Sequence, residues 1–333
     1  MVEPVTAGAP AVEEVSLVVP VYQGEHTLES LVQEVEPLTA PTPTPAGRMF
    51  RIAELLLVHD GARDGSARVM DAVSSRHPFV RPLWLSRNFG QHPATLAGMA
   101  STVSPWVATL DEDGQQDPRD VGRLLDAAIA SGAQLVYALP ANAPPHGALR
   151  NLGSRLAKWI FANVLGSRTL GSFNSFRLVE GEIARGVAAY CGANVYLDVA
   201  LSWVVSEAHH CPVMLRSERG ARRSGYTFRL LLHHFWQLVL TSGTRPLRLI
   251  AFLGLASIVG AVLISAGAVY ARLTHHIPVQ GWTSMIVAIS FFAGFILVSL
   301  GVIAEYLGVA VSMAMGKPPY LIVSRPPARG RSS

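Results

Sequence analysis

Asp111, Glu112 and Asp113 stand in a row directly behind the apolar run that ends at Leu110, and Gln115, Gln116, Asp117 and Pro118 follow. Acids gathered at the end of a buried strand repel one another unless a cation or hydrogen-bond donors offset them. In an extended stretch Asp111 and Asp113 point to the same side. With Gln115 they offer oxygen ligands suited to a hard divalent ion, Mg²⁺ or Mn²⁺, whose remaining positions a diphosphate would fill. A solvated turn with helix-capping aspartates produces the same Asp-x-Asp, so the pattern needs company. It has company in Asp60, which ends another apolar run ahead of Gly61, and in Pro20-Val21-Tyr22, which ends a third.

The elements that must position these residues repeat one plan. From Val15 a β-branched run ends at Pro20, a polar turn follows, and Leu28, Leu31, Val32 and Val35 recur at helical spacing. "IAELLLVHDGARDGS", "RPLWLSRNFGQHPATLAGMA" and "WVATLDEDGQQDPRDVGRLLDAAIA" repeat it, whereas "TAPTPTPAGR" reads as a surface loop. Four strand-then-helix units predict an α/β fold, a mostly parallel sheet covered on both faces. Ligands bind such sheets beyond the carboxyl ends of the strands, where Asp60, Asp111 and Asp113 would converge.

The rest of the chain has a different character. Of 333 residues half are hydrophobic and 15% are charged, and Leu249–Tyr270 and Ile277–Ala304 contain no charge. At ~1.5 Å per residue each run can cross a hydrocarbon core of about 30 Å, so the pair predicts a transmembrane hairpin. Arg216, Arg219, Arg222, Arg223, Arg229, Arg245 and Arg248 precede the hairpin against the single acid Glu218, and Lys317, Arg325, Arg329 and Arg331 follow it. That bias places both termini and the soluble domain on the cytoplasmic side of the cell membrane. The net charge of +4 is therefore local to the bilayer, and a lipid phosphate is a better partner for it than nucleic acid. Phe228–Val239 suits an amphipathic helix lying in the interface.

The predicted domains are a tail over 1–14, an α/β domain over 15–215, a basic loop and interfacial helix over 216–246, two spans over 247–306 and a cytoplasmic tail over 307–333. Cys191 and Cys211 make no disulfide framework or metal spacing, and a reducing compartment fits them. The N-terminal stretch has neither the basic nor the apolar region of a signal peptide. His209-His210 and His233-His234 lack zinc-ligand spacing.

"VVPVYQGE", "VHDGARDGS", "LSRNFGQHPATLAG", "TLDEDGQQDP" and the two terminal spans, in this order, resemble the family 2 glycosyltransferases that load a sugar onto a polyisoprenyl phosphate. The resemblance runs from Val15 to about Tyr320. It implies a GT-A fold, a nucleotide-diphosphate sugar donor with a uridine nucleotide favoured, a divalent metal, and inverting transfer to a polyprenyl phosphate. It places Pro20, Tyr22, Glu25, Asp60 and Asp111 on the nucleotide, and Asp111, Asp113 and Gln115 on the metal and diphosphate. Asp113, Arg177 of "SFNSFRL" and Asp198 of "VYLDVAL" become the residues nearest the chemistry. Arg150 and Ser154 of "RNLGSR", with Arg219, Arg222, Arg223 and Ser224, receive the acceptor phosphate. A homo-oligomer, dimer or tetramer, is compatible with the spans and interfacial helix.

His59 departs from the family's usual Asp or Asn, Arg222 replaces a Gly, and no Arg precedes Arg150 after the fourth strand. Two other readings compete. A processive polysaccharide synthase would show Gln-x-x-Arg-Trp and more spans, and the sequence has neither. A non-catalytic membrane protein that binds a nucleotide sugar would have no need of Asp111, Asp113 and Gln115 together.

Overall fold

In strand β1 (Val12–Val21) alternate residues serve two cores: Val15, Leu17, Val19 and Val21 pack to one side and Val18 to the other. Strand β3 (Met49–His59) does the same, with Leu55 and Leu57 opposed to Leu56 and Val58. A two-residue period with apolar side chains on both faces requires cover on both faces. Helices α1 (Leu28–Val35), α2 (Ser66–Arg76) and α4 (Val121–Ser131) supply it on the first. On the second lie α3 (Gln91–Ala100), α5 (Gly181–Tyr190) and α6 (Leu197–Val204).

This computed structural model describes residues 11–142, 174–192, 195–216 and 281–324, with isolated helical residues between 254 and 270. The remaining strands are β2 (Thr42–Pro43), β4 (Val80–Leu85), β5 (Trp106–Thr109), β6 (Leu135–Pro140), β7 (Arg177–Glu180), β8 (His209–Val213) and β9 (Ile322–Val323). They form one sheet in the order β8-β6-β7-β5-β1-β3-β4-β9, with β2 paired to β3. β5, β1, β3 and β4 run parallel, as the four strand-then-helix units predict. β7 enters antiparallel between β5 and β6, which the sequence reading does not anticipate. Its four residues are too few to show a period.

Thr42–Pro43 lies in "TAPTPTPAGR", expected to be loop, yet pairs antiparallel with the start of β3. A proline is tolerated there because the position is at an edge. At the edge of the sheet remote from the strand ends that carry the acids, buried Glu54 accepts Ser16 Oγ (2.7 Å) and the Val103 N–H (3.1 Å) and pairs with Arg81.

Gly98 lets α3 approach β1. A Cβ there would sit 2.3 Å from Val18 Cγ1 and 3.1 Å from Val58 Cγ2. Gly98→Ala is expected to cost about 1–3 kcal/mol by overpacking, read as a lower melting temperature. An unchanged melt would mean that the helix shifts freely on the sheet.

These elements, including β9, belong to one compact unit; helix α7 (Trp282–Ala314) belongs to a second. Within α7, Phe291–Val311 has a mean hydropathy of 2.0 and none of it is buried. At ~1.5 Å per residue those 21 residues span about 32 Å. The helix runs through Glu305 to Ala314, past the end of the uncharged run at Ala304. Among the described residues it is the one helix long and apolar enough to cross a membrane. Most of the other expected span, Leu249–Tyr270, and all of the expected interfacial helix lie outside the described residues, so the two-helix hairpin is not established.

Candidate active site

The parallel strands deliver their C-terminal ends to one edge: Val21 pairs with His59, the Asp60 N–H reaches the Val21 carbonyl (2.9 Å), and the Leu110 N–H reaches the Val18 carbonyl (3.0 Å). Antiparallel β7 contributes its first residue to the same edge, since Arg177 pairs with Thr109. A cavity of about 190 Å³ opens there, lined in part by Pro20, Gln91, His92, Asp111, Arg177 and Asp198.

The acids behind the strands divide into two kinds. Glu112 is a clamp: its carboxylate accepts the Tyr22 (3.1 Å) and Gln23 (2.8 Å) N–H groups, tying the loop after β5 to the loop after β1. Asp60 is another, accepting the Phe89 (2.7 Å) and Gly90 (2.8 Å) N–H groups ahead of α3. Burial pushes its carboxyl above the usual range, while those two N–H groups and Arg87 pull it back. Glu25 accepts the Gly65 N–H (2.9 Å), and any Cβ at Gly65 would fall 2.2 Å from Glu25.

Asp111 is of the second kind, facing the cavity. Its Oδ1 accepts Gln91 Nε2 (2.6 Å), its Oδ2 accepts Gln116 Nε2 (3.1 Å) and the Ser175 hydroxyl, and its N–H donates to Gln116 Oε1 (2.8 Å). Burial raises its pKa above the usual carboxylate range; Ser175 opposes this and the charge of Asp113 adds to it. The segment is a turn rather than the extended stretch expected, with Gly114 at φ 75° and Asp113 Oδ1 accepting the Gln115 N–H (3.0 Å). Of the two glutamines in the turn it is Gln116 whose side chain reaches Asp111; Gln115 lends its carbonyl to the Arg216 N–H (2.8 Å).

Across the cavity Arg177 and Asp198 form an ion pair, both more than nine-tenths buried, and the Tyr137 hydroxyl donates to the same Asp198 oxygen (2.9 Å). Burial, and then Asp198, raises the Tyr137 pKa and keeps that phenol a donor. Arg177 Nε is buried without a hydrogen-bond partner. His92 sits edge-on to Tyr196 with centroids 4.6 Å apart.

Of the residues expected at the site, the cavity wall thus holds Pro20, Asp111, Arg177 and Asp198. Tyr22, Glu25 and Asp60 lie in the loops around it, and Asp113 and Gln115 lie in the turn after Asp111. Arg150, Ser154, Arg219, Arg222, Arg223 and Ser224 lie outside the described residues. Sequence reasoning assigned no role to Gln91, His92, Asn174 or Ser175, although all four stand inside the motif strings it singled out. Asn174 and Ser175 stand out as two polar residues between Phe173 and Phe176, whereas Gln91 and His92 follow a polar stretch and carry no such signal.

Among the described residues no group of three or more His, Cys, Asp or Glu side chains could by itself hold a metal ion. The donors near the cavity nevertheless suit a hard cation, since half-buried Asp111 is desolvated and lies beside the charge of Asp113, and a cation would relieve both costs.

The pattern described as glycosyl transferase family 2 matches residues 16–182, half of the chain, a range that takes in β3, β4, β5 and most of β1. The chain belongs to that family. This family 2 member is a glycosyltransferase with a GT-A-like sheet. It is 28% identical over 315 residues to a bactoprenol glucosyl transferase of Shigella phage SfX, covering 94% of this chain and 99% of the relative. It is 25% identical to a prophage bactoprenol glucosyl transferase homolog of Escherichia coli K12, covering 93% and 98%. Among solved structures, its fold is similar to the glucosyl-3-phosphoglycerate synthase of Mycobacterium tuberculosis, crystallised with Mn²⁺, UDP-glucose and phosphoglyceric acid. There the TM-score is 0.50 at 18% identity, over 70% of this chain and 79% of that one. It is also similar to the mannosyl-3-phosphoglycerate synthase of Rubrobacter xylanophilus, with TM-score 0.50 at 17% identity over 71% and 74%.

Proposed function

We propose that this glycosyltransferase moves a sugar, glucose first among the candidates, from a uridine-diphosphate donor to a polyprenyl phosphate at the cytoplasmic face of a membrane. The observation that carries the reading is the strand-end cavity, which sets Asp111 against the buried Arg177–Asp198 pair in a chain that also bears a 21-residue apolar helical segment with no buried residue. The names of the full-length relatives support the same acceptor.

A lipid phosphate monoester is already anionic near neutral pH, so the nucleophile needs little help from a general base. Repulsion from the donor diphosphate is the larger obstacle. Asp111 and Asp113 would hold Mg²⁺ or Mn²⁺, which when bound neutralises charge developing on the leaving nucleotide. Arg177, paired with Asp198, which Tyr137 holds, brings positive charge to the cavity wall, where an oxygen of the donor diphosphate would meet it. Gln91, Gln116 and Ser175 hold Asp111 in one orientation. Attack from the face opposite the leaving group inverts the anomeric carbon. Arg150, Ser154, Arg219, Arg222, Arg223 and Ser224 are the acceptor-phosphate contacts in this reading.

Connectivity supports a membrane hairpin. Arg216, ahead of the two uncharged runs, and β9, after them, both belong to the sheet-bearing unit, and β9 pairs antiparallel with β4. A chain that departs from and returns to one side of a bilayer crosses it an even number of times. α7 supplies one crossing, and the uncharged run Leu249–Tyr270 supplies the other.

The test is a panel of radiolabelled nucleotide sugars offered to detergent-solubilised enzyme with a short polyprenyl phosphate, with and without chelator. Labelled lipid from UDP-glucose, lost on chelation, is expected. Absence of labelled lipid with every donor overturns the reading.

A further inference from the structure

Leu215 and Arg216 are the last described residues before the basic stretch, and both are held from two sides. Asn142, just past β6, donates from Nδ2 to the Leu215 carbonyl (2.7 Å) and accepts the Leu215 N–H (3.0 Å). Arg216 reaches the other way, its N–H to the Gln115 carbonyl (2.8 Å), Nη1 to Glu34 on α1 (2.7 Å) and Nη2 to Asp117. The second oxygen of Asp117 accepts the Arg119 N–H (3.0 Å) at the turn into α4, so this carboxylate cannot swing away without loss. One guanidinium therefore bridges α1 to the far end of the turn that begins at Asp111. From Asp111 to Asp117 that turn holds four acids and no Lys or Arg.

The Arg216 side chain is 30% exposed, and its partners are 23% and 22% exposed. Water screens such pairs, so their energy is modest. A fork that holds two carboxylates at once is specific in geometry, which a lysine's point charge cannot reproduce.

We propose that Arg216 is a positioning residue, whose fork holds the Asp111–Asp117 turn in register with α1 and with Leu215, which Asn142 fixes. Disturbing the fork then weakens metal-dependent nucleotide binding and acceptor use together. The acceptor half rests on the polyprenyl-phosphate reading; the nucleotide half does not.

The test uses full-length Arg216→Lys and Arg216→Ala in detergent. Calorimetry gives the Mn²⁺ concentration that half-saturates UDP binding, and kinetics separate the KM for a short polyprenyl phosphate from kcat. Both the Mn²⁺ requirement and the acceptor KM are expected to rise about five- to tenfold in Arg216→Lys, with kcat at saturation within about twofold. If the Ala variant fails to fold, the Lys variant carries the test. A lower melting temperature with both quantities unchanged would show a merely structural role and overturn the proposal, as would no change at all. Should wild-type enzyme fail to glycosylate polyprenyl phosphate, the functional reading falls, while the Mn²⁺ dependence of UDP binding still decides whether Arg216 positions the turn.

Discussion

Asp111→Asn is expected to lower sugar transfer by about two to three orders of magnitude, in line with removal of one main electrostatic contact at a reacting centre. The substitution keeps the shape of the side chain and removes the charge that a cation would meet. Its effect on stability runs the other way with pH. Burial, with Asp113 adding, holds the folded-state pKa of Asp111 above its unfolded value. A raised carboxyl stabilises the fold below the ordinary Asp range, and that contribution drains away as pH rises through the folded value. Asparagine carries no such dependence. Without added metal, the melting temperature of Asp111→Asn minus that of wild type should therefore climb as pH rises above the ordinary Asp range. Added Mn²⁺ should raise the wild-type melt and leave the variant unmoved. Scanning fluorimetry across that range checks both, and a difference that is flat or falls with pH would remove the electrostatic account of this residue.

Arg177→Met and Asp198→Leu, each alone, should destabilise the domain by about 3–5 kcal/mol, because either leaves its buried partner charged and uncompensated. Both side chains are under a tenth exposed, so solvent offers little relief. The double variant removes both charges and should recover most of that loss, as apolar replacement of a buried pair commonly does. It should nonetheless remain inactive, since both residues line the cavity and only the ionised pair offers an oriented cation there. Denaturant melts with a transfer assay separate the two effects. A double variant that regains activity along with stability would reduce the pair to a structural role.

The strand-then-helix plan was legible because its signal is local. Apolar alternation in Val15–Val21 and Leu55–Val58 reports burial on two faces, and parallel strands then carry Pro20, Asp60 and Asp111 to one edge by topology alone. The apolar length of α7 was legible for the same reason, although the point where the helix stops was not, since one glutamate does not end a helix.

What each acid does was a tertiary matter. Glu112, Asp60 and Glu25 look like Asp111 in sequence, yet each spends its oxygens on the backbone of a neighbouring loop. Only the folded arrangement of those loops decides which carboxylate is satisfied by N–H groups and which is left facing a cavity. Asp198 meets Arg177 and Tyr137 across 21 and 61 residues of separation, the first of them on an antiparallel strand too short to announce itself. Periodicity records how much of a side chain is buried, whereas partners far apart in the chain are chosen by the packing that brings them together.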